Sequence, residues 1–151
     1  MTNIDKINSL LNQLENKLEN KSLHFTQKNS DRESNLKRVE LLYEKLELSK
    51  KHDDFSNIFD YKAMNLAGIG LKEEDFGEIR EGKYIQIIAI IYLKSQTGKS
   101  LPKNISLGYY GKAEKLSLEK KNDIVEFVLR WRYEKTFQHT HYYKQLLSKL
   151  H

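Results

Sequence analysis

The sequence predicts a mostly α-helical protein, with an N-terminal helical hairpin packed on a small helical bundle and a long C-terminal helix. Three observations predict it. Ile4, Ile7, Leu11, Leu14 and Leu18 recur at 3-4-3-4 spacing, the a/d seam of a coiled coil. No glycine or proline interrupts Ser117 to His151, so that stretch reads as helix to the end, or as two helices in near succession. The segment "YIQIIAIIYL" is apolar on every side, and its length between Gly82 and Gly98 suits a buried helix.

The first helix opens with Thr2 as N-cap and Asp5 in the first turn, where a carboxylate meets the positive end of the helix dipole. "SLHFTQKNS" breaks the heptad period. Ser30 and Glu33 then stand at capping-box spacing, which starts a second helix near Asp31. Its apolar stripe is Leu36, Val39, Leu42 or Tyr43, and Leu46, and it runs out in "SKKHDD". Two helices and a short loop make an antiparallel hairpin over residues 1–52.

"FSNIFDYKAMNLAGIG" predicts a third, shorter helix ended by Gly68 and Gly70. The apolar segment 83–97 follows as a buried helix. Its five isoleucines leave an alternative, in which residues 84–93 and 105–110 form a small antiparallel β pair. One domain is expected, with residues 53–151 as the core bundle.

Composition excludes several chemistries. With no cysteine in 151 residues, disulfides, thiolate nucleophiles and Cys-based metal sites are impossible. Mean hydropathy is −0.72, yet 11% aromatic residues argue against disorder. The longest apolar stretch is about half a membrane span. The N-terminus lacks the apolar core of a signal peptide. A soluble, cytoplasmic protein with no membrane partner is the expectation. Residues 99–151 hold 11 Lys and Arg against 5 Asp and Glu, while residues 1–98 hold 15 against 16. Attraction for a polyanion is therefore expected from the C-terminal third.

Two nucleotide-site look-alikes fail on spacing. "LKSQTGKS" has Leu93 where a phosphate-binding loop needs its first glycine, and "GIGLKE" has Glu73 in place of the third glycine of a dinucleotide fingerprint. His139 and His141 lie one residue apart. On a helix that puts them about 200° apart, too far to share a metal ion. No metal and no cofactor is expected.

The stretch "RWRYEKTFQHTHYYK" at 130–144 carries the remaining signal. Arg130, Arg132, Lys135 and Lys144 are placed to meet phosphates, while Tyr133, Tyr142, Tyr143 or Trp131 offer stacking faces for bases. "YYGK" at 109–112 repeats the theme with Lys112. Trp131 is expected in the core. On a helical wheel Arg132, Lys135 and His139 line up with Val125, Val128, Leu146 and Leu150. Cations in an apolar stripe must be relieved by a helix break, by paired carboxylates or by a cleft.

Arg132 and His139, six residues between them, are similar to the R-x(4–6)-H motif of HEPN domains. That resemblance implies an all-α, metal-independent RNase in which Arg132 orients the scissile phosphate and His139 moves a proton. Tyr133 stands where the family usually has a polar residue.

The residues themselves favour a non-enzymatic accessory protein that binds nucleic acid or a nucleoprotein complex through its basic third. Its expected contact residues are Arg130, Arg132, Lys135, His139, Tyr142, Tyr143, Lys144 and Lys112. The alternative is a protein–protein adaptor or inhibitor acting through the heptad face. There Ile4, Ile7, Leu11, Leu14 and Leu18 would meet a partner helix or a second copy.

Overall fold

A computed structural model of the protein describes residues 3–51 and 54–150, with side chains described outside residues 14–29. The Thr2 cap and the side chains of Leu14 and Leu18 lie outside the described residues. The chain divides into two compact units, Met1–Ser34 and Asn35–His151. Five principal elements follow in order: α1 (Asn3–Lys45), β1 (Ala63–Ala67), β2 (Tyr84–Lys94), β3 (Ser100–Lys112) and α2 (Leu118–Ser148).

This is an α+β architecture, not the mostly α bundle expected. Nor is there an N-terminal hairpin, because the region read as its loop is helical and belongs to α1. The physical reason is that α1 contains no glycine or proline. Ser, His, Thr and Asn each lower helix propensity by only about 0.5 kcal/mol relative to Ala, too little to stop propagation. In the first unit the described members of the heptad seam, Ile4, Ile7 and Leu11, are exposed.

In the second unit, the expected third helix is split. Phe55–Asp60 forms a 3-10 helix, capped by Asp54, whose carboxylate accepts from the Ser56 N–H. Ala63–Ala67 of that segment is β1. The buried helix expected at 83–97 is instead β2, so the β alternative at 84–93 and 105–110 describes the chain, with longer strands. Ile85, Ile87 and Ala89 face inward and are buried, while Gln86, Ile88 and Ile90 alternate with them on the half-covered side.

The sheet is antiparallel in the order β1-β2-β3. Its pairings include Met64 with Ala89 and Ile90 with Asn104. One hydrophobic cluster joins it to both helices. Val39, Leu42, Tyr43 and Leu46 come from α1, and Ile124, Phe127, Val128 and Trp131 from α2. They meet Met64, Ile85, Ile87 and Leu107 of the sheet. Trp131 lies in this core as expected, its indole N–H donating to the Ile58 carbonyl at 2.8 Å. Long α2 is the element that the sequence predicted most directly. Ser117 caps it by accepting from the Lys120 N–H. Among the described residues no helix is long and apolar enough to cross a membrane.

Candidate nucleic-acid interface

Three of the four α2 cations expected to meet phosphates, Arg130, Arg132 and Lys135, are half-buried and engaged by groups of the protein, while Lys144 is exposed. Arg132 donates to the Met64 carbonyl from Nε at 3.1 Å and from a terminal nitrogen at 3.0 Å, and reaches the Asn65 side-chain oxygen at 3.1 Å. Lys135 Nζ donates to the Phe59 carbonyl at 2.7 Å and sits 5.5 Å from the centre of the Trp131 ring. Burial lowers the Lys135 pKa from its ordinary value. Arg130 bonds Glu126 at 2.6 Å and the Asn35 side-chain oxygen at 3.1 Å.

The conflict in the apolar stripe is thus relieved by backbone carbonyls of β1 and of the 3-10 helix. Helix α2 runs unbroken there, and among the described residues no salt bridge forms at Arg132 or Lys135. For the HEPN resemblance this matters twice. The three-stranded sheet is not an all-α fold, and the Arg132 guanidinium is held by Met64 and Asn65. His139, Tyr142, Tyr143 and Lys144 lie on the exposed last turns of α2, and Lys112 is exposed at the end of β3, a different element.

A second basic surface is assembled by β2 and β3. From Gly82 to Ala113 the chain holds five lysines and not one aspartate, glutamate or arginine. The whole chain has 26 Lys and Arg against 21 Asp and Glu. Outside this segment the two signs therefore balance at 21 each. The hairpin carries the entire net charge of +5. Lys83, Lys94, Lys99, Lys103 and Lys112 are all exposed, and none forms a salt bridge among the described residues.

Strand geometry spreads these charges over the ribbon. Even-numbered residues of β2 share one face, so Tyr84 and Lys94 point the same way and Lys112, opposite Tyr84, joins them. Lys103 pairs with Ile91 and belongs to the other face. Lys99 sits in the turn. That turn closes with the Ser95 N–H donating to the Lys99 carbonyl at 2.8 Å and the Gly98 N–H to the Ser95 carbonyl at 3.0 Å. Gly98 has φ of 82°, the left-handed conformation that a glycine accepts without strain. The "TGKS" that imitates a phosphate loop is this hairpin turn.

Pairing with β1 stops at Ile90, opposite Ala63. Beyond it, β2 residues 91–94 pair only with β3 residues 100–103. Residues 92–94 and 100–104 are exposed, so both faces of this distal ribbon meet solvent. At the base, the exposed Tyr84 and Tyr109 rings lie 5.8 Å apart with 30° between their planes. The sequence reading named Lys112 and the YYGK stretch that holds Tyr109, but not Lys83, Lys94 or Lys99. The acid-free run from 82 to 113 was the available signal. Dividing the chain at residue 99 cut that run in two. Comparison of the chain with protein-family models, curated proteins and solved structures finds no match.

Proposed function

We propose that this is a non-enzymatic protein that binds nucleic acid through the β2–β3 hairpin. The observation that carries the reading is the charge partition. A chain otherwise balanced in sign places five exposed lysines on one ribbon with no carboxylate among them. Exposed lysines that form no salt bridge among the described residues can replace the cations condensed on a phosphate backbone. Tyr84 and Tyr109 add stacking faces beside Lys112. Arg130, Arg132 and Lys135 of α2 are engaged in part-buried bonds within the protein, which favours the hairpin over α2 as the contact surface.

The test is oligonucleotide binding over a salt series. With three to five phosphate contacts, log affinity should fall against log salt with a slope of about −3 to −5 for a duplex. Lys94→Glu with Lys103→Glu should weaken binding at least tenfold and flatten that slope by about 2. An affinity that ignores salt, or a variant that binds as the wild type does, would sink the proposal.

A further inference from the structure

We infer that the distal ribbon, residues 91–103, enters the major groove of double-stranded DNA, its lysines meeting the phosphates on both walls. The inference rests on the nucleic-acid reading above and narrows it to one ligand form and one mode of contact.

Dimensions support it. Two paired strands lie about 4.8 Å apart, and four residues rise about 13 Å. The ribbon with its side chains is then about 10 Å across and projects beyond β1 by more than the groove's depth. The major groove of B-form DNA is about 12 Å wide and about 8.5 Å deep, and it admits a two-stranded β-ribbon. The deep, narrow major groove of A-form RNA does not.

Chemistry agrees with the dimensions. Lys94 and Lys103 stand on opposite faces of the ribbon and Lys99 at its tip, so each wall of the groove finds a cation. Between them the ribbon carries only uncharged groups. Leu93 and Leu101 are cross-strand partners on one face, and both are about half exposed, at 47% and 55%. At the tip, Gln96 carries an amide of the kind that reads adenine edges.

The experiment compares one sequence as duplex DNA, duplex RNA and single-stranded DNA, with heparin as a shapeless polyanion. Duplex DNA should bind at least tenfold tighter than duplex RNA. Bound protein should also shield guanine N7, which lies in the major groove, from methylation. The triple variant Lys94→Glu, Lys99→Glu, Lys103→Glu should flatten the duplex salt slope by about 3. Lys83→Glu with Lys112→Glu, at the base of the ribbon, should change it by less.

All five positions are exposed, and unchanged thermal unfolding of the variants verifies that the fold survives. Equal affinity for all four ligands, or unshielded N7, overturns the groove inference while the nucleic-acid reading stands. No binding to any of them overturns both. A drop in the solution mass of free protein caused by the triple variant would make the ribbon a self-association arm, and would also overturn the inference.

Discussion

Arg38 and Glu126, 88 residues apart in sequence, are joined by two parallel hydrogen bonds of 2.9 Å each. The Arg38 guanidinium, with a further bond from Arg130, holds the Glu126 carboxyl at about 2, against the opposing effect of its partial burial. A carboxylate pKa lowered by folding contributes stability that is complete above its unfolded value and vanishes as pH falls. Here the window runs from the ordinary 4.5 down to about 2. Glu126→Gln should cost about 1–3 kcal/mol at neutral pH. Unfolding measured from pH 6 to pH 2 should show the gap between wild type and variant closing across that window.

Arg132→Ala leaves the Met64 carbonyl without its two donors. The expected loss is about 1–3 kcal/mol, read from the denaturation midpoint. Arg132→Lys should recover only part of it, because an ammonium cannot present two donors in a fixed fork. A midpoint unchanged in Arg132→Ala would mean that the guanidinium serves something other than the fold.

Gly68 has φ of 90°, and a Cβ there would lie 2.7 Å from the Tyr84 carbonyl oxygen. Gly68→Ala should therefore cost at least about 1–3 kcal/mol. The obstructing atom is backbone and cannot rotate away. Gly98→Ala makes a useful contrast, since φ is also positive but nothing lies within 4 Å. It should be the milder of the two by chemical denaturation.

On α1, Leu11 is 52% exposed and Leu42 is fully buried. Leu11→Asp should shift the unfolding free energy by no more than about 0.5 kcal/mol. Leu42→Asp should lose several kcal/mol or fail to fold. The heptad pattern alone assigns Leu11 a cost of about 2–5 kcal/mol, so calorimetry on the pair separates pattern from burial.

Helix α2 was legible because its apolar positions recur without a breaker and Ser117 stands at its start. The sheet was masked by its own half-covered outer face. Ile88 and Ile90 sit where a solvent-facing strand would carry polar residues, so the period-2 signal of Ile85, Ile87 and Ala89 disappeared into a uniform apolar run. Gly98 was the missed cue, a turn glycine between two β-branched or aromatic segments. In α1 the capping-box spacing of Ser30 and Glu33 imitated a start that the continuing helix did not need.

The destination of a cation was invisible in one dimension. Arg132 and Lys135 looked like free charge because backbone carbonyls, unlike carboxylates, leave no mark in the sequence. Lys94, Lys99 and Lys103 looked ordinary for the converse reason. Only the hairpin pairing brings them together on one ribbon that carries no acidic side chain of its own.

The order β1-β2-β3 leaves β3 with a neighbour on one side only. A 13-residue strand with an open flank is a template on which a second copy could add, the first step of cross-β aggregation. Two features of this strand oppose that step. Pro102 offers no N–H to an incoming strand, and Lys103 and Lys112 bring like charges together if two such edges approach. The same lysines that suit a phosphate backbone thus act as gatekeepers of colloidal stability. Replacing Lys103 and Lys112 by valine should raise light scattering on heating, well before any change in the secondary structure of the soluble protein.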